Sequence, residues 1–169
     1  MSGSLSLTFC ILALSGFIYA GRTTAQTPVQ PVTWSVSANA GTGPKLEGHL
    51  TLDLVADVTD GWHVYGLHQV EGGPTPLRIT VDEQGIVQTA GVPTGTAPAR
   101  KRDASFGLDT ELYLHPFSLH IPLQIKPRTS AGSQQIALNV RFQACNDRVC
   151  LPPKTVHLTV PIQIPAETP

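Results

Sequence analysis

Apolar and polar residues alternate at period two along much of the chain. In LEGHLTLDLVADV, the residues Leu46, Leu50, Leu52, Leu54, Ala56 and Val58 fall on one face, and Glu47, His49, Thr51, Asp53 and Asp57 on the other. Successive side chains of a strand point to opposite sides, so this spacing predicts a strand with one face buried. QIALNVRFQ repeats the pattern with Ile136, Leu138, Val140 and Phe142 inward, which turns Arg141 and Gln143 outward. TVHLTVPIQI repeats it again, with Val156, Leu158, Val160, Ile162 and Ile164 inward. LYLHPFSLHIPLQI alternates on either side of Pro116 and predicts an edge strand or a bulge there, because proline has no N–H to give to a ladder. VTWSVSA, WHVYGL and LRITV bring the total to about seven or eight strands, and no segment carries a helical stripe.

Fifteen Gly and fifteen Pro with 6% aromatics fit many short elements joined by turns. The expected fold is all-β, an immunoglobulin-like antiparallel β-sandwich, over residues 32–164. Residues 26–31 read as a short N-terminal linker and 165–169 as a frayed tail. A domain of this length buries an adequate core without covalent help.

Leu5 to Ala20 is an apolar run too short to span a bilayer comfortably, and Thr23-Thr24-Ala25 supplies small residues for a signal peptidase. Residues 1–25 therefore read as a secretory signal cleaved before Gln26, with cleavage after Ala20 as the second choice. The run lacks a preceding Lys or Arg, so an uncleaved anchor is the competing reading. The product would be periplasmic or secreted. Removing Arg22 with the signal leaves ten of the eleven basic residues against twelve acidic ones, and no basic patch stands out. Nucleic acid is thereby disfavoured as a partner.

Cys10 lies inside the signal, so the mature chain keeps Cys145 and Cys150, an even pair in an oxidising space. A bridge between them closes only a short loop and would stabilise the fold by about 2 kcal/mol, near the bottom of the usual range. Both lie at one end of a strand–turn–strand unit, followed by Pro152-Pro153, which stiffens the exit. Spacing alone leaves two readings open, a structural hairpin disulfide and a dithiol that exchanges. Arg148 beside the pair would favour a thiolate and Asp147 would oppose it.

FQACNDRVCLPP resembles the cysteine motif of the N-terminal periplasmic domain of the DsbD thiol:disulfide interchange proteins. DGWHVYGLHQVEGGPTPLRI, from Asp60, resembles that family's aromatic strand, and KRDASFGLDTELYLHPFSLHIPL, from Lys101, its cap-loop region. The resemblance covers most of residues 32–164 in the family's order. It implies a protein-disulfide reductase type of electron transfer without a cofactor. Electrons would come from a thioredoxin-like domain supplied by a membrane protein. They would pass to periplasmic disulfide isomerases or cytochrome c maturation proteins. It implies that Cys150 enters mixed disulfides and Cys145 resolves them. It also implies a cap loop at Asp103–Gly107 with Phe106 over the sulfurs, and Tyr65 and His63 beside them. Full-length members continue into membrane and thioredoxin-like domains, so a chain stopping at Pro169 would take its donor in trans. The Ala104-Ser105-Phe106 stretch departs from the more acidic or doubly aromatic cap expected, and Phe106 also reads as a core residue opening the next strand.

His63 and Tyr65, two apart on a strand, share a face, with Trp62 and Val64 packing behind. Two further classes compete with this one. His49, His63, His68, His115, His120 and His157 are scattered, and one Cys-x4-Cys pair is a weak zinc signal. A non-catalytic adhesion or ligand-binding sandwich with a structural disulfide fits the fold equally well.

Overall fold

The computed structural model describes residues 29–39, 48–82 and 84–166. The predicted signal at 1–25, Leu46 and Glu47 lie outside the described residues. Twelve strands are found among the described residues: β1 (Val32–Asn39), β2 (His49–Val58), β3 (Trp62–Tyr65), β4 (Arg78–Val81), β5 (Val87–Thr89), β6 (Thr94–Gly95), β7 (Ala99–Asp103), β8 (Leu108–Tyr113), β9 (Phe117–Ile125), β10 (Gly132–Phe142), β11 (Ala144–Asn146) and β12 (Lys154–Ile164).

Two antiparallel sheets form an immunoglobulin-like β-sandwich. One runs β1-β2-β9-β5, with β6 also on β9; the other runs β12-β10-β4. Alternation drives this assembly. Leu50, Leu52, Leu54, Ala56 and Val58 of β2 are buried, as are Ile136, Leu138, Val140 and Phe142 of β10, and all belong to one core. On β12, Val160 and Ile162 are buried while Val156, Leu158 and Ile164 are half-buried, as suits an edge strand. Trp34 of β1 joins the layers. Its ring meets Phe117 of β9 edge-on at 5.7 Å and Phe142 of β10 at 5.2 Å.

A third sheet, β11-β3-β8-β7, extends one end. Val64 and its partner Tyr113 turn into the main core, and Trp62 packs against that core. The next pair, Tyr65 and Leu112, turns the other way and forms a small second cluster with Cys145, joined by Phe106 and Cys150. Strand alternation thus supports the core with one face of β3 and builds a separate site with the other.

Three expectations need correction. Pro116 marks neither an edge strand nor a bulge. It lies in the link Leu114–Pro116, where the chain passes from the third sheet to the first. The flanking Tyr113 and Phe117 stack face to face at 3.8 Å. β9 is an interior strand, and its own Pro122 is tolerated for a local reason. The Pro122 carbonyl accepts the Ala90 N–H at 2.9 Å, so its missing N–H faces the gap between β5 and β6. The strand total was also low, because β5, β6, β7 and β11 are short and β7 shows four exposed residues in a row, without alternation. Finally, Gln143 does not face outward. It is half-buried, because β10 ends at Phe142 and the loop after β3 covers it.

Candidate functional site

The two cysteines lie opposite each other in a tight hairpin. Asn146 N–H donates to the Val149 carbonyl at 2.9 Å, and Leu151 N–H donates to the Ala144 carbonyl at 2.9 Å. Cys145 and Cys150 form the bridged pair between these two bonds. Side chains at such a non-hydrogen-bonded pair stand closest together. The Cα atoms are 4.1 Å apart and the sulfurs are bonded. The Asn146 side chain closes the turn, its Oδ1 accepting the N–H groups of Arg148 at 2.9 Å and Val149 at 2.8 Å. The Cys-x4-Cys spacing therefore puts both sulfurs on one side of a two-residue turn.

The sulfurs are unequal. Cys145 is 1% exposed and packs against Tyr65 and Leu112, whereas Cys150 is only half-buried at the cluster's edge. The Tyr65 hydroxyl lies 4.0 Å from Cys150 Sγ and donates to Asp103 Oδ2 at 2.8 Å. Asp103 is 7% exposed, yet both carboxylate oxygens are satisfied. Its Oδ1 accepts the N–H groups of Ser105 at 2.8 Å and Phe106 at 3.2 Å, and its carbonyl accepts that of Gly107 at 2.8 Å. Gly107 has φ 66°, a left-handed conformation that closes the β7–β8 turn at little steric cost. The turn presents Phe106 inward. Its half-buried ring meets the Tyr65 ring edge-on at 5.9 Å and joins the cluster that holds the sulfurs. Phe106 is thus a loop residue on the second cluster and not part of the sandwich core.

His63 stands directly across from Cys145 in the β3–β11 register, and its ring meets Tyr65 edge-on at 5.1 Å. Its Nε2 is buried without a hydrogen-bond partner among the described residues. Burial pushes the imidazole below its ordinary value; Asp103 and Asp147 pull it back in part, and Lys101 lowers it further. The Tyr65 hydroxyl is pushed well above the ordinary phenol value by burial first, then by its bond to Asp103 and the charge of that carboxylate.

Sequence reasoning missed two residues here. Leu112 closes the cluster from β8, and nothing in the sequence separates it from an ordinary core leucine. Gln143 ties the hairpin to the loop after β3. Its Oε1 accepts the Thr75 N–H at 3.0 Å, its Nε2 donates to the Leu151 carbonyl at 3.4 Å, and its own carbonyl accepts the Tyr65 N–H at 3.4 Å. A polar residue two positions before the first cysteine was the available signal. Among the described residues, no group of three or more His, Cys, Asp or Glu is placed to hold a metal ion.

A β-sandwich with a disulfide on a hairpin at one end, one sulfur sunk and the other half-buried in a cluster shared with an aromatic loop residue, defines the class: a sandwich domain that presents an accessible disulfide. A family model described as thiol:disulfide interchange protein DsbD, N-terminal, matches residues 26–162, and the chain belongs to that family. No curated protein sequence matches it. Among solved structures, the chain is similar to the reduced N-terminal domain of DsbD from Neisseria meningitidis, at 18% identity over 66% of this chain and 77% of that one, with a TM-score of 0.48. It is also similar to the N-terminal periplasmic domain of ScsB from Proteus mirabilis, at 16% identity over 79% of this chain, with a TM-score of 0.49. The chain spans 45% of that ScsB structure's length.

Proposed function

We propose that this domain relays electrons in the periplasm through the Cys145–Cys150 pair. A thioredoxin-like domain, itself fed by a membrane protein, reduces the disulfide. The resulting dithiol then reduces periplasmic disulfide isomerases or cytochrome c maturation proteins. Cys150 is the sulfur that enters mixed disulfides and Cys145 the one that resolves them. Phe106 shields the pair between encounters, and Tyr65, Asp103 and His63 complete its surroundings.

The observation that carries this reading is the unequal burial of the two sulfurs. An incoming thiolate needs an open line to the sulfur it attacks, and Cys150 is the half-exposed one while Cys145 is sealed beneath Tyr65 and Leu112. Attack at Cys150 Sγ expels the Cys145 sulfur as thiolate, which stays in place to reverse the step. An apolar cover suits an oxidising compartment, where an open dithiol would be over-oxidised.

The test is the reduction potential of the pair, measured by equilibration with glutathione and with thioredoxin. A relay is expected to lie within reach of thioredoxin-like donors. A potential below about −300 mV would mark a structural bond and overturn the proposal.

A further inference from the structure

Resolution of a mixed disulfide needs a base, and the site holds one that the relay leaves unused. We propose that His63 takes the thiol proton of Cys145 in the resolving step. The inference rests on the exchange reading above.

In the dithiol state, Cys150 attacks a partner's disulfide. Its sulfur bonds to one partner sulfur, and the other leaves as a thiolate. Cys145, still a thiol, must then lose its proton, because the thiolate is the nucleophile. Its position is sealed, at 1% exposure, so bulk water is a poor acceptor there. His63 faces it directly from β3, and side chains at directly opposed positions stand about 5 Å apart at Cβ. The ring's Nε2 is buried and without a partner among the described residues, a cost that a thiol donor would offset. Burial also keeps the imidazole neutral near pH 7, ready to accept.

The surrounding groups point the same way. Tyr65, from β3 itself, has its hydroxyl committed to Asp103 and lies near Cys150. Asp103, at the end of β7, has both oxygens accepting hydrogen bonds already. Neither is free to take the proton. The charges of Asp103 and of Asp147, from the hairpin turn, favour the imidazolium once formed, and Lys101 of β7 opposes it. The step then balances. Nε2 gains the Cys145 proton, and the Cys145 thiolate attacks Cys150 Sγ. The Cys145–Cys150 bond forms as the mixed disulfide breaks. The departing partner thiolate, or water, receives the proton from the imidazolium. Two electrons leave the dithiol and reduce the partner's disulfide to two thiols.

The experiment mixes the reduced protein with 4,4′-dithiodipyridine and follows thiopyridone release. The first phase reports attack by Cys150 and the second reports resolution by Cys145. Thiopyridone leaves without needing a proton, so the second phase isolates deprotonation of Cys145. In H63Q and H63F, the latter keeping an aromatic edge on Tyr65, the second phase at neutral pH is expected to slow by about 100-fold. It should also rise steadily with pH where the wild type levels off. The first phase and the melting temperature should stay close to wild type. A second phase unchanged in both variants would overturn the proposal, as would equal slowing of both phases. Failure of the wild-type protein to exchange with oxidised thioredoxin would instead remove the relay reading, and the two-phase result would still be readable.

Discussion

The Tyr65 hydroxyl donates to Asp103 Oδ2 at 2.8 Å, and that bond ties the wall of the disulfide site to the β7–β8 loop. The other carboxylate oxygen gathers the amides of Ser105 and Phe106, so one buried side chain fixes both the loop's shape and its attachment. Phe106 packs against the small cluster of Tyr65, Leu112 and Cys145 as a consequence, and not into the main core.

Replacing Asp103 tests those two duties together. Asp103→Ala removes all three side-chain hydrogen bonds and leaves the buried Tyr65 hydroxyl only the Cys150 sulfur at 4.0 Å, at a cost of about 1–3 kcal/mol. Asp103→Asn keeps an oxygen for the loop amides and an amide that can donate to Tyr65. Alkylation of reduced Cys150 by iodoacetamide is expected to speed up strongly in the alanine variant and slightly in the asparagine variant. Equal rates in the two would show that Asp103 does not hold the cover.

Unequal exposure of the sulfurs makes a directional trapping prediction. Cys145→Ala should accumulate a stable mixed disulfide between Cys150 and a thioredoxin-like protein, because the resolving sulfur is gone. Cys150→Ala should trap little, since Cys145 lies beneath Tyr65 and Leu112. Non-reducing gel electrophoresis reads the outcome directly. Similar trapping by both variants would refute the assignment of roles and leave exchange itself intact.

The sandwich was legible because period-two alternation is written into every long strand; β2 and β10 bury the residues their spacing predicts. Alternation also put His63 and Tyr65 on one face of β3. Where alternation was absent the reading stopped. β7 is Ala99-Arg100-Lys101-Arg102-Asp103, four exposed residues and one buried carboxylate, and it becomes a strand by pairing with β8. Arg100–Glu111 and Arg102–Asp109 lie across that ladder, worth little each because they are exposed. The Pro116 error has the same root. Alternation continues through Tyr113 and Phe117 although the chain changes sheets between them, and a one-dimensional pattern does not record which sheet it faces. Gln143 was misplaced because its covering loop comes from sixty-eight residues away.

Phe106 offers a sharper separation of cover from core. Its ring is half-buried on the smaller cluster. Full truncation of a core phenylalanine costs about 3–5 kcal/mol. Phe106→Ala is therefore expected to cost less than that in denaturant unfolding while raising the alkylation rate of reduced Cys150 several-fold. A loss in the core range with unchanged alkylation would make Phe106 a structural residue.

His63 also makes the fold's stability depend on pH, with a definite sign. Burial holds its folded-state value below the ordinary 6.5, against the partial pull of Asp103 and Asp147. Between the folded and unfolded values the unfolded chain binds the extra proton, so stability rises with pH across that window. Above 6.5 both states carry a neutral ring and the contribution is fully present; as pH falls below 6.5 it is progressively lost. The oxidised wild-type protein is thus expected to lose stability in chemical denaturation from about pH 7 to about pH 5, before most carboxylates protonate. His63→Gln should lack that part of the decline. Parallel curves for the two proteins over that interval would mean that the ring takes up its proton as readily in the folded state as in the unfolded one, and that burial at the Cys145 face does not hold it neutral.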